Sequence, residues 1–154
     1  MLIKDLAMNN TLRIVNDLPN RHIWEYEMPT YLKDSNAYGN IYFARYFEWQ
    51  GVCREMWFSE CIFPNMFELK GALVTHNAYN NYVAPVYPFE KIRCELTTLN
   101  IKSASFQLHF AFYNSQTGNL VSEGGQKIAI IDSENGRLIR FPKEILDKVR
   151  YYEK

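Results

Sequence analysis

The stretch from Asp34 to Phe58, DSNAYGNIYFARYFEWQGVCREMWF, limits the fold more than any other part of this chain. Turn-forming Asp, Ser, Asn and Gly residues lead into a long helix predicted over about residues 41–60, with apolar side chains on nearly every side. At about 1.5 Å per residue such a helix is roughly 30 Å long, enough to cross a small domain. A helix this apolar belongs in a core. It nevertheless carries Arg54 and Glu55, and buried charge is costly unless it is paired or used. Gly51 in its middle costs about 1 kcal/mol of helix propensity relative to Ala. Either another backbone or a ligand approaches there, or the glycine is tolerated.

The rest of the chain is mostly strand-like. HIWEYEMPTYL, residues 22–32, alternates well enough for a strand, with Pro29 confined to an edge or a bulge. After Gly71 the period turns to two. Strands are predicted over 72–84, 89–101, 104–114 and 119–133, in hairpin succession. The cleanest is 104–114, where Phe106, Leu108, Phe110 and Phe112 oppose Gln107, His109, Ala111 and Tyr113. Gly124-Gly125 marks a bulge or a close backbone contact. A short helix is predicted over 142–152, with Pro142 in its first turn. One antiparallel sheet on one central helix is an α+β fold, in a single domain over 21–154 after a lead-in over 1–20. One helix cannot cover both sheet faces, so a homodimer, or a dimer of dimers, is expected.

Composition narrows the function classes. The 154 residues suit one domain, and 17 Lys and Arg balance 17 Asp and Glu, which argues against nucleic acid as a partner. No segment approaches the length of a membrane span or of a secretion signal, so a soluble cytoplasmic protein is expected, with no membrane partner. Cys53, Cys61 and Cys94 lack framework spacing and read as reduced thiols. His22, His76 and His109 fit no metal spacing. No metal or other cofactor is expected.

The loop-to-helix sequence resembles the hotdog-fold thioesterases, in which a curved antiparallel sheet wraps a long central helix. The hydroxybenzoyl-CoA thioesterase type carries a motif near D-x-D-x-x-G-x-x-x-x-x-x-Y. Here it reads Asp34-Ser35-Asn36-Ala37-Tyr38-Gly39, with Tyr46 further on. YVAPVYPFEKI, from Tyr82 to Ile92, looks like the segment such enzymes place after the helix. The resemblance is closest to the branch that releases enediyne and related polyene polyketides from acyl carrier protein, with a signature near T-N-x-x-G-N-V-Y-Y followed by W-Q-G-x-C-R-E-M. This chain has Ser35-Asn36, then Gly39-Asn40-Ile41-Tyr42-Phe43, then Trp49-Gln50-Gly51-Val52-Cys53-Arg54-Glu55-Met56. The resemblance covers roughly residues 20–135.

It implies a thioester hydrolase acting on a long-chain or polyene acyl group carried by acyl carrier protein or CoA. A carrier protein or a polyketide or fatty-acid synthase would be the partner, and the protein a homotetramer or homodimer. The catalytic groups implied are Asn36, Arg54, Tyr46 and the backbone N–H of Phe43. Gly39 and Trp49 are implied on the substrate side. The acid that the hydroxybenzoyl type uses falls on Asn36. Neither Asn36 nor Arg54 can act as a base, so positioning and polarisation would carry the reaction. Asp34 and Glu48 are the alternative sources of a base, although a paired or solvated role suits both. Without the resemblance, Asn36 reads as a turn or helix cap, Arg54 as a structural ion-pair partner, and Tyr46 as a core aromatic. Trp49 and Trp57 read equally as core or as acyl-tunnel wall. The rival functions are a short-chain or aryl acyl-CoA hydrolase and a non-catalytic acyl-binding protein.

Overall fold

Among residues 22–154, which the computed structural model describes, the period-two segments form five strands. They are β1 Trp24–Pro29, β2 Ala72–Tyr82, β3 Lys91–Leu99, β4 Ser105–Asn114 and β5 Leu120–Ile131. The long helix α1 is Arg45–Trp57, continued by a π-helical turn over Phe58–Ile62, and the short helix α2 is Lys143–Arg150. The lead-in expected over residues 1–20 lies outside the described residues.

The strands form one antiparallel sheet in the order β1-β3-β4-β5-β2. The expected hairpin succession holds for β3, β4 and β5. β2 departs from it and pairs with β5 at the far edge, because α1 carries the chain across the sheet before β2 begins. Pro29 ends β1, which is an edge strand.

One sheet face is the core face. Ile92, Cys94 and Leu96 of β3 are buried there, with Phe106, Leu108, Phe110 and Phe112 of β4. α1 lies on this face through Tyr46, Trp49, Gln50, Cys53 and Trp57, spaced at i, i+3, i+4, i+7 and i+11. The expectation of burial on nearly every side is corrected: Phe47 and Val52 on the opposite face are exposed. The Trp49 ring lies 5.8 Å from Phe112 and the Trp57 ring 6.2 Å from Phe106. α2 closes the end of the core with Ile145 and Val149, and Thr98 Oγ1 donates to the Val149 carbonyl at 2.8 Å.

α1 also starts four residues later than the pattern predicts. The Ile41 N–H donates to the Val86 carbonyl at 2.7 Å and the Tyr42 N–H to the Asp34 carbonyl at 2.8 Å. Ile41 also pairs with Ser35 in an antiparallel bridge, so the backbone is extended here and turns helical only further on. At the other end Phe58 and Ile62 are buried in the π-helical turn, and Pro64 follows just beyond it.

β2 is largely exposed and, among the described residues, has no partner on its outer edge. Gly124 explains how its inner side meets α1. A Cβ at this position would overlap Gln50 Nε2 and the Tyr79 carbonyl oxygen, so the glycine pair serves close approach and not a bulge. Gly51, in contrast, has nothing within 4 Å of a built Cβ. Gly124→Ala is therefore expected to lower stability by about 1–3 kcal/mol, the usual range for forced overpacking. A urea-denaturation midpoint unchanged from the wild type would contradict this account of the glycine.

Candidate active site

The loop before α1 is built by short polar bonds. Asp34 is buried, and its carboxylate accepts from the Tyr31 N–H at 3.1 Å and from Lys33 Nζ at 2.9 Å, with Arg45 Nε 3.8 Å away. The Asn36 Oδ1 accepts from the Tyr38 N–H at 2.8 Å, forming an Asx turn. Gly39, at φ +86°, closes the turn by donating to the Asn36 carbonyl at 3.1 Å. That backbone conformation favours glycine. Asn36 thus caps a turn and not the helix, whose N-cap is Ala44. The bond uses only the carbonyl end of its amide, and both N–H groups of Nδ2 are left to donate.

At the start of α1 the Phe43 N–H has no backbone acceptor among the described residues. Phe43 directly precedes the Ala44 N-cap, where the helix dipole adds partial positive charge. The Phe43 carbonyl accepts from the Tyr82 hydroxyl at 2.8 Å, which ties the helix start to the end of β2. Asn36, Phe43, Tyr46 and Tyr82 line one cavity of about 360 Å³, closed on another side by Pro85. Tyr46 is buried, with its ring centroid 4.5 Å from Trp49 and 4.9 Å from Tyr82. Trp49 packs into the core behind Tyr46 and is not among the residues lining this cavity.

Arg54 lies elsewhere. It follows Phe43 by eleven residues, about 16 Å along the helix axis. It lines a second cavity of about 240 Å³ with Phe58, Met66, Leu69 and Leu73. Its Nη1 donates to Thr75 Oγ1 at 2.6 Å and to Gln126 Oε1 at 3.1 Å. Burial lowers its pKa, with Glu55 acting in the opposite direction. Glu48 pairs with Arg45 at 2.6 Å, so neither it nor Asp34 is a free carboxylate beside Asn36. Within one chain, then, Asn36, the Phe43 backbone and Tyr46 come together, while Arg54 stands apart.

Sequence reasoning passed over the polar residues that join these two regions. Gln50 is fully buried between Tyr46 and Arg54. Its Nε2 donates to the Tyr79 carbonyl at 3.0 Å and to Asn80 Oδ1 at 3.2 Å. Tyr46, Gln50 and Arg54 stand at i, i+4 and i+8, so one helix stripe faces β2. That spacing is the signal by which Gln50 was legible. Asn80, Ser122 and Gln126 carried none, being ordinary polar residues in strand patterns.

The sequence profile of the thioesterase-like superfamily matches residues 31–149. Among solved structures, the dynemicin thioesterase superposes with a TM-score of 0.79 at 22% identity, over 86% of this chain and 99% of that one. A 1,4-dihydroxy-2-naphthoyl-CoA thioesterase from Synechocystis gives 0.75 at 18% identity, over 83% of this chain and 96% of that one. A probable thioesterase from Escherichia coli gives 0.74 at 18% identity, over 86% and 100%. These likenesses establish the hotdog fold. No curated protein matches the chain in sequence.

Burial raises the Tyr46 phenol from the ordinary 10.0 to about 12, with Tyr82 and Glu90 adding to the rise and the Val86 backbone opposing it. The folded-state value lies above the unfolded one, so Tyr46 contributes stability that is complete below pH 10.0 and lost as pH climbs towards about 12. The expected result is a steeper alkaline loss of stability in the wild type than in Tyr46→Phe. Parallel decline of the two proteins in denaturant titrations across that window would contradict it.

Proposed function

The chain belongs to the thioesterase-like superfamily and is on that ground a thioester hydrolase, and we propose that its active site lies at the start of α1 and is completed by a second copy of the chain. The observation that carries this reading is the Phe43 N–H, which has no backbone acceptor among the described residues and belongs to a residue that lines the same cavity as Asn36, beside the positive end of the helix. A thioester carbonyl oxygen seated there gains stabilisation as it becomes an oxyanion. The Asn36 Nδ2 donates to the same oxygen or holds the attacking water. Tyr46 stays protonated and shapes the wall. Gly39 keeps the backbone open to the substrate. Water attacks the carbonyl carbon, and the thiol leaves on CoA or on a carrier protein.

Arg54 enters from the partner. α1 and β2 run antiparallel: Tyr82 bonds to the helix start, Gln50 meets Tyr79 and Asn80, and Arg54 reaches Thr75. β2 has a free, exposed outer edge, the kind of edge that pairs with another chain. If two β2 edges pair about a two-fold axis placed between Ala78 and Tyr79, Tyr82 comes opposite Thr75 of the partner subunit. Neighbouring strands lie about 5 Å apart. Arg54 of the partner subunit, bonded to that threonine, then stands beside the cavity. There it stabilises the negative charge that develops on the carbonyl.

The substrate class we propose is a long-chain or polyene acyl thioester on acyl carrier protein or CoA. Aromatic walls from Phe43, Tyr46 and Tyr82 support it, as does the likeness to the dynemicin thioesterase, whose crystal structures revealed induced-fit and allosteric effects upon polyene binding.

Two experiments test the proposal. In a panel of CoA and carrier-protein thioesters, the purified protein should release free thiol, most rapidly from long or polyene chains. No release from any member removes the enzyme. Asn36→Ala and Arg54→Ala should each lower kcat by about a hundredfold, the usual cost of losing an oxyanion donor. When the two inactive variants are unfolded together and refolded, mixed dimers hold one site with both native residues. Activity should return to about a quarter of the wild-type value in a random mixture of two-fold dimers. No recovery would place Arg54 outside a shared site.

A further inference from the structure

The backbone of Phe43 is held differently from that of its neighbours. Its N–H has no backbone acceptor among the described residues, and its carbonyl accepts from the Tyr82 hydroxyl at 2.8 Å. The residues on either side are tied by main-chain bonds. The Tyr42 N–H donates to the Asp34 carbonyl at 2.8 Å, the Arg45 N–H to the Tyr42 carbonyl at 3.0 Å and the Phe47 N–H to the Ala44 carbonyl at 3.2 Å. Phe43 thus depends on a side chain from β2 where its neighbours depend on the main chain. That side chain lines the same cavity as Phe43 and Asn36.

The direction of this hydroxyl is set by a row of polar groups between α1 and the sheet. Asn80 and Tyr82 are two residues apart on β2 and share a face, and the Asn80 side chain hydrogen-bonds the Tyr82 phenol. A phenol has one proton, and here it goes to Phe43, so Asn80 is the donor and the phenol oxygen accepts. The Asn80 oxygen is already used twice, by Gln50 Nε2 at 3.2 Å and by the Ser122 hydroxyl at 3.3 Å. Gln50 is oriented in its turn. A guanidinium only donates, so Gln126 gives its Oε1 to Arg54 at 3.1 Å and turns Nε2 to Gln50 Oε1 at 3.3 Å. Each amide fixes the next, and the last aims the Tyr82 proton at Phe43. The Tyr82 ring is set as well, edge-on to Tyr46 with the centroids 4.9 Å apart.

We propose that Tyr82 is a positioning residue for thioester cleavage: oriented by Asn80, its hydroxyl holds the Phe43 carbonyl, so that the N–H of the same residue stays directed at the thioester oxygen. This rests on the reading of the Phe43 N–H as the oxyanion donor, and it adds a residue which that reading does not require. An oxyanion donor acts by meeting the oxygen as its charge develops, so a loss of aim is felt in the chemical step and not in substrate affinity. A misplacement of about 1 Å can cost about a hundredfold in rate. In this role Tyr82 touches no reacting atom.

The test is Tyr82→Phe, which keeps the ring against Tyr46 and removes only the hydroxyl. On the thioester that the wild type cleaves fastest, kcat should fall by about tenfold while KM stays within about twofold. Asn80→Asp is the second variant. It keeps an oxygen for Gln50 and Ser122 and offers a carboxylate that draws the phenol proton away from Phe43. It should lower kcat to a similar extent, and the double variant should lose no more than either alone, since both changes remove the same bond. An unchanged kcat in Tyr82→Phe overturns the proposal. So does a rise in KM at constant kcat, which would make the hydroxyl a substrate contact, and so does an additive loss in the double variant. If Asn80→Asp does not fold, the division between kcat and KM in Tyr82→Phe decides alone. If the wild type releases no thiol from any thioester in the panel, the hydrolase reading falls and this inference with it. Cleavage by the wild type, with full kcat in Tyr82→Phe, removes this inference alone.

Discussion

The seat of the Gln50 amide between α1 and the sheet is the contact on which the rest of the site depends. A fully buried amide must find partners for its oxygen and its nitrogen or pay the desolvation cost of each. Gln50 finds all of them at one register: the Tyr79 carbonyl, Asn80 Oδ1 and Gln126 Nε2. Sliding α1 by one turn along β2 would strand this amide in an apolar layer. Gly124 keeps the space open. The register fixed by Gln50 then carries both ends of the helix to their places. Phe43 arrives at the Tyr82 hydroxyl and Arg54 at Thr75.

The arginines of the chain separate structural from available charge. Arg45 is held against Glu48 and Asp34, and Arg93 against Glu25 and Glu95. Arg54 makes no ion pair among the described residues. Its guanidinium rests on two neutral oxygens, from Thr75 and Gln126. Burial disfavours the charge enough to lower its pKa, although Glu55 nearby acts in the opposite direction. A half-buried cation held by neutral acceptors keeps its capacity to meet an anion. This suits a group that faces charge only when a thioester is being cleaved.

Much of the fold was legible because it rests on local pattern. Phe106, Leu108, Phe110 and Phe112 alternate so regularly that β4 has one possible buried face. Ile92, Cys94 and Leu96 behave in the same way on β3. What the pattern could not show is non-local. The late start of α1 goes with the antiparallel bridge of Ile41 to Ser35 and the bond of Ile41 to Val86, which hold the chain extended there. The place of β2 beside β5 depends on where the helix carries the chain. The site divides along the same line. The turn made by Asn36 is local and was one of the readings its sequence allowed. The polar chain through Gln50, Gln126 and Asn80 joins three elements, and no single segment announces it.

Asn36 and Asp34 together explain how the loop can work without a carboxylate base. By resemblance, the acid of the hydroxybenzoyl-CoA thioesterase type falls on an amide here, and Asp34 close by is already committed. Asp34 accepts from the Tyr31 N–H and from Lys33, and its own carbonyl anchors Tyr42. Its charge is spent on holding the strand-like entry to α1, which sets where the Phe43 N–H points. An uncommitted carboxylate beside that donor would repel a developing oxyanion, whereas an amide would not. On the proposed reading, an amide at Asn36 exchanges proton abstraction for a less hostile field around the carbonyl. In the shared site proposed above, the helix start, the amide and the partner's arginine would act in one direction, on the negative charge that forms at the thioester oxygen.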